Sequence, residues 1–132
     1  MKYAFFGLSI LMILFCACGA SPKYAIKGRY CLESDDYGKY ILGYEVDSNK
    51  NFQVLVDVYV FAAGYSNKFI VAIQHPKTRD GMSADSNYYI IPFHEKFTYY
   101  AQDGILGPLT AKEYNQKKAQ LGIGQITWLN VK

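Results

Sequence analysis

The sequence predicts a mainly β (α+β) domain, a single antiparallel sheet or small sandwich with one C-terminal helix. Three observations predict it. Beyond Pro22 the dominant apolar period is two, the repeat of a strand with alternating faces. Turn clusters rich in Gly, Asn, Asp and Ser punctuate that pattern at short intervals. One segment alone, Thr110 to Gly122, carries a full set of helix start and stop signals.

Residues 30–33 and 40–46 are short strands separated by the polar turn Ser34-Asp35-Asp36-Tyr37-Gly38. Val54, Val56, Val58 and Val60 then alternate with Leu55, Asp57, Tyr59 and Phe61, which reads as one long strand, apolar enough on both faces to be central. Gly64-Tyr65-Ser66-Asn67-Lys68 supplies turn chemistry, and residues 69–74 return as the second strand of an antiparallel hairpin. A polar loop over 76–87 leads to a strand at 88–91. Pro92 has no N–H to give to a ladder, so that strand ends there or lies at an edge. His94-Glu95-Lys96 turns the chain into a strand at 97–100, and a last strand at 125–131 carries Trp128, the one tryptophan.

The helix is specified locally. Thr110 is its N-cap, and Glu113, three residues on, completes a capping box, with Leu109 and Tyr114 placed as a hydrophobic staple. Pro108 keeps the preceding chain extended, and Gly122 suits the left-handed residue that stops the helix. Ala111, Tyr114, the stem of Lys118 and Leu121 share the face that lies on the sheet.

The N-terminus reads as an address. Lys2 precedes an apolar run over 4–17, about the length of a secretory h-region and shorter than the roughly 20 residues a spanning helix needs. Ala17 stands before Cys18, and Gly-Ala-Ser-Pro follows, the layout of a bacterial lipoprotein signal. Residues 1–17 would be the signal peptide, with Phe15, Cys16 and Ala17 as its recognition box. Cys18 would be lipidated by palmitate-type acyl groups, residues 18–23 would form the tether, and 24–132 a single β-rich domain. The competing reading is secretion after cleavage at Ala20. Localisation is therefore a cell membrane or outer membrane on the extracytoplasmic side, with release as the alternative.

Removing residues 1–17 from the 132 leaves 115, enough for one domain. It takes away Lys2 only, so net charge falls from +3 to +2. No block of like charge argues for nucleic acid. Cys16 and Cys18 belong to the leader and the lipid site, so Cys31 stands alone as a buried thiol. The thirteen tyrosines concentrate in strand-like segments, as cross-strand packing or as an aromatic platform for glycan or peptide.

Chemistry-bearing patterns are sparse. His94-Glu95 lacks the second histidine of a zinc-protease motif, Thr98 standing in its place. His75 and His94 lie in separate loops, and the acids of 80–87 lack the spacing of a calcium loop. Asp57, inside the Val-rich strand, is the most interesting acid. With His94 and Glu95 it makes a speculative polar site; no catalytic, cofactor or metal residues are nominated beyond it.

The strand pair over 54–63 and 69–74, the strand Asn87-Tyr88-Tyr89-Ile90-Ile91, and Gly107-Pro108-Leu109-Thr110 opening a helix that ends in Gln120-Leu121-Gly122-Ile123 together resemble a family of short, uncharacterised bacterial lipoproteins grouped under a domain of unknown function. The resemblance spans residues 54–123 and carries no catalytic residues onto this chain. The missing catalytic set and the anchored, compact design point instead to a non-enzymatic binding or accessory module of the cell envelope, held to the membrane by its acyl groups and meeting an envelope protein or glycan. The alternatives are an enzyme acting on glycan or cell wall and a toxin-neutralising inhibitor or immunity-type lipoprotein.

Overall fold

A computed structural model describes residues 23–47, 51–78, 81–82 and 85–131. The signal-peptide reading and Cys18 fall on residues 1–22 and lie outside the described residues.

Two antiparallel sheets and one helix make three layers. The first sheet has the order β1 (Lys23–Lys27), β2 (Tyr30–Ser34), β3 (Tyr40–Glu45) and β4 (Phe52–Val56). The second sheet is built from β5 (Val60–Tyr65), β6 (Phe69–Gln74), β9 (Asn87–Pro92), β10 (Leu106–Leu109) and β11 (Thr127–Trp128), in the order β10-β9-β6-β5-β11. Between β6 and β9, the short strands β7 (Lys77–Thr78) and β8 (Gly81–Met82) pair with each other. Helix α1 spans Ala111–Gln120.

Alternation along β6 explains the layering. Ile70 and Ala72 point between the sheets, where Ile26, Tyr30, Leu32, Leu42, Tyr44 and Val56 of the first sheet meet them in one core. Val71 points the other way and joins Ile90, Tyr114 and Ile123 in a second core under α1. The register pairs Ile70 with Ile91 and Val71 with Ile90, so each apolar pair shares a face. The sandwich therefore has two inner faces, and the helix covers an outer one.

The helix forms as its local signals require. Thr110 has extended backbone and its hydroxyl accepts from the Glu113 N–H at 3.2 Å, while the Glu113 carboxylate accepts from the Thr110 N–H at 2.8 Å. Gly122 is left-handed at φ +65° just past the end. Of the expected contact face, Tyr114 is buried and stacks on Tyr88 at 4.9 Å, while Ala111 and Leu121 stay exposed.

Four strand expectations are corrected. The run from Val54 to Phe61 is not one strand: β4 ends at Val56, the chain crosses from one sheet to the other through Asp57, Val58 and Tyr59, and β5 begins at Val60. Asp57 Oδ1 accepts from the Val58 N–H at 2.8 Å, and the Gln74 side-chain amide donates to the carbonyls of Asp57 and Val58, each at 3.1 Å. Tyr59 takes a left-handed φ of 76°, which breaks the strand geometry and costs about 1–2 kcal/mol for a residue with a Cβ. The hairpin partner of β6 is thus β5 alone. Residues 97–100 are loop, because the Thr98 N–H donates to the Tyr44 hydroxyl at 3.1 Å instead of to a neighbouring strand. The strand expected over 125–131 shrinks to β11, which approaches β5 closely because Gly64 has no side chain; a Cβ there would lie 2.6 Å from the Thr127 carbonyl oxygen. Lys23, assigned to the tether, already pairs with Glu33 as the first residue of β1. Pro92 does end β9, yet that strand is interior, flanked by β6 and β10.

Candidate cation–aromatic binding strip

Asp57 and the pair His94-Glu95 are not brought together. Asp57 lies beside Gln74 at the end of β6, whereas His94 follows β9 where Phe69 begins β6, so a six-residue strand of about 3.3 Å per residue separates them. Asp57 is exposed and its carboxylate is engaged in its own turn. The His94 N–H donates to the Tyr30 hydroxyl at 3.1 Å, and its ring Nε2 is buried with no hydrogen-bond partner among the described residues. Glu95 is exposed. Among the described residues no group of three or more His, Cys, Asp or Glu side chains is placed to hold a metal ion. Cys31 is buried, and that burial pushes its thiol up to about 11, far from reactive thiolate character.

What the fold does assemble lies at the end of the sandwich opposite Lys23. There the β1–β2 turn, the β5–β6 turn and the segment 93–101 converge. Lys27 Nζ donates to the carbonyls of Ser66 and Asn67, at 3.0 and 3.1 Å, and sits 4.3 Å from the centroid of the Phe93 ring. That ring rests on Gly28, where a Cβ would come within 3.2 Å of it. The Arg29 guanidinium lies 5.0 Å from the Phe97 ring, and Phe97 meets Tyr99 edge-on at 4.8 Å. Tyr99 and Tyr100 are 68% and 67% exposed. Cations and rings therefore follow one another in a strip: Lys27 with Phe93, Arg29 with Phe97, then the two tyrosines.

Exposed rings on a loop are ordinarily mobile; these are fixed from below. Tyr30 and Tyr44, both fully buried and paired across β2 and β3, point their hydroxyls at this segment. Tyr30 donates to the Pro92 carbonyl at 3.0 Å and accepts from His94, and Tyr44 accepts from the Thr98 N–H. Burial holds the Tyr30 hydroxyl above the usual phenol range, so it stays a protonated donor. Gln53 of β4 donates to the Tyr99 carbonyl at 3.1 Å, Thr98 Oγ1 accepts from the Tyr100 N–H at 3.0 Å, and Ala101 is fully buried behind them. Such anchoring lowers the entropy lost when a ligand docks on the rings. Beside the strip lies a cleft of about 460 Å³ lined by Lys27, Lys68, Phe93 and Glu95. It shares Asn67 and Lys68 with a second cleft of about 450 Å³ between the β5–β6 turn and the loop after α1.

Sequence reasoning raised an aromatic platform but named none of these positions. The one local signal was a glycine between two cations, Lys27-Gly28-Arg29; the rings that meet them lie more than sixty residues away.

Residues 28–132 match the model of a family described as "Protein of unknown function (DUF3997)". The match takes in the strip from Arg29 onward but not Lys27, both sheets except for β1, and the helix, a wider span than the 54–123 of the resemblance. No curated protein and no solved structure matches the chain. Because the family model covers well over half of its length, this chain is a member of the DUF3997 family.

Proposed function

We propose that the chain is a lipid-anchored, non-enzymatic binding module of the cell envelope that meets its partner through the strip. The observation that carries this reading is the set of exposed rings held by buried tyrosine hydroxyls at the end of the fold away from Lys23. Cys18 takes the acyl groups, and two or more chains hold a protein at a bilayer essentially for good. Only four residues separate Cys18 from the start of β1 at Lys23, a reach of at most about 18 Å. The partner is therefore met close to the anchoring membrane.

Two measurements on protein purified from its native membrane test this. Intact mass should give a chain that begins at Cys18 and carries fatty acyl groups; a chain starting at Ser21 without them, or one retaining its leader, refutes the anchor. Envelope material captured by the full chain should be lost in the double variant Arg29→Gln, Tyr99→Ala. Equal capture by that variant refutes the strip as the binding face.

A further inference from the structure

We infer that the strip takes an anionic envelope glycan, a chain of sugar rings carrying carboxylate or phosphate groups. This rests on the reading of the strip as the binding face and adds the chemistry of what binds there.

Charge gives the first argument. Lys27 and Lys68 line the adjoining cleft with Glu95 as its one acid, and Arg29 and Lys96 belong to the turn and segment of the strip itself. Asp103, whose N–H donates to the Tyr100 carbonyl at 3.0 Å, is the one acid beside the tyrosines among the described residues. Glu45, the nearest carboxylate to Arg29 along β3, is engaged by Lys23. Arg29 uses one N–H toward the Glu45 backbone carbonyl at 3.3 Å, which leaves most of its five donors for an incoming oxyanion. At the other end of the sandwich the balance reverses: Glu33, Asp35, Asp36 and Asp57 gather around the β2–β3 turn and the crossover, with Lys39 held on the Tyr59 hydroxyl at 3.0 Å. A polyanion is thus drawn to the strip end and turned away from the tether end.

Ring chemistry gives the second. An open tyrosine face accepts the C–H face of a sugar, and Tyr99 and Tyr100, successive in the chain and both exposed, offer such faces on a hydrogen-bonded backbone. A protein hot spot would instead centre on a dry apolar pocket ringed by polar residues. Here the row of rings is interrupted by cations, so it has no apolar centre. An anionic bilayer is disfavoured by position, since the strip lies at the end opposite the one where the tether enters.

The test uses the full chain in phosphatidylcholine nanodiscs, titrated calorimetrically with octagalacturonate, with neutral maltooctaose and with linear octaphosphate. Octagalacturonate should bind at least about tenfold more tightly than either control, with an affinity that falls as salt rises. Arg29→Gln with Lys68→Gln should weaken octagalacturonate about tenfold and leave maltooctaose unchanged. Tyr99→Ala with Tyr100→Ala should weaken both glycans and leave octaphosphate unchanged. Octaphosphate equal to octagalacturonate would mean charge alone, and maltooctaose equal to it would mean rings alone; either overturns the inference. Binding to anionic vesicles in preference to octagalacturonate, or strip-dependent capture of a protein in place of glycan, also overturns it while the binding face stands. Envelope capture that ignores the strip substitutions removes the underlying reading itself.

Discussion

The two ends of the sandwich are each held by buried side chains that reach across to irregular backbone, but they put that hold to different uses. At the crossover end, Gln74 sits 9% exposed and spends both ends of its amide: Nε2 on the carbonyls of Asp57 and Val58, Oε1 on the Tyr89 hydroxyl at 3.0 Å and the Asn87 amide at 3.3 Å. Two of the four groups it satisfies are carbonyls of the backbone passing from one sheet to the other. At the strip end, Tyr30 and Tyr44 satisfy the backbone of a loop whose own side chains stay in water. A sheet-to-sheet crossover has left the ladders of both sheets, so its partly buried carbonyls need another partner. The strip loop needs pairing for a different reason, since without it the rings would not stay in one place.

That contrast fixes the order of mutational effects. Gln74→Leu should be the most damaging, leaving two carbonyls and a tyrosine hydroxyl unpaired inside the fold, for about 3 kcal/mol of unfolding free energy in urea titration. Ligand binding at the strip by the fraction still folded should be unchanged. Tyr30→Phe should cost less, about 2 kcal/mol, and Tyr44→Phe about 1 kcal/mol, in proportion to the bonds each loses. Their distinguishing signature is local. Amide hydrogen exchange should speed up at His94 in the first variant and at Thr98 in the second, with weaker binding in both. If Tyr44→Phe leaves Thr98 exchange at the wild-type rate, the strip loop is held by something other than the core tyrosines.

Elements whose causes are local were legible in the sequence. The helix is the clearest case, because Thr110, Glu113 and Gly122 act within one or two turns of themselves, and the β5–β6 hairpin follows for the same reason. The break at Asp57 to Tyr59 was not legible. The valine alternation runs straight through it, and what stops the strand is Gln74, sixteen or seventeen residues later in the chain. Residues 97–100 have high strand propensity, yet their backbone is claimed by Tyr44 from over fifty residues away. β1 was hidden by its composition, Lys-Tyr-Ala-Ile-Lys, which looks like a linker until β2 pairs with it. The strip shares this origin: the cations of Lys27-Gly28-Arg29 and the rings of Phe93 and Phe97 lie more than sixty residues apart and become neighbours only when two turns and a loop close on one end.

Thr110→Ala sharpens the comparison as a control, because α1 lies on the outer face of the second sheet and bears on neither end. Loss of the cap should cost about 1 kcal/mol, read in urea, with exchange at 57–59 and at 93–101 following only the global change.

Ionisation of Cys31 offers the gentlest perturbation, absent at neutral pH. Cys31 pairs with Ala25 and Gly43 midway between the two ends, on the outer face of the first sheet. Burial raises its thiol from 9.0 to about 11, and Lys23 nearby pulls it back only in part. In the unfolded chain the thiol ionises around pH 9, so above that pH the unfolded state holds fewer protons than the folded one. Stability must then fall as pH rises from 9 and level off near 11, where the folded thiol ionises too. Tyr30, Tyr89 and Tyr114, also raised by burial, add a loss of the same sign that starts about one unit higher. Unfolding free energies measured between pH 8 and 10 should therefore slope downward from pH 9 in the wild type and stay flat until about pH 10 in Cys31→Ala, the slopes and not the absolute values being compared. Because the thiol lies between the ends, the alkaline loss should raise exchange at the crossover and under the strip by the same factor. A larger rise at one end would show that the two ends open separately, and that the hold on the strip is independent of the hold on the crossover.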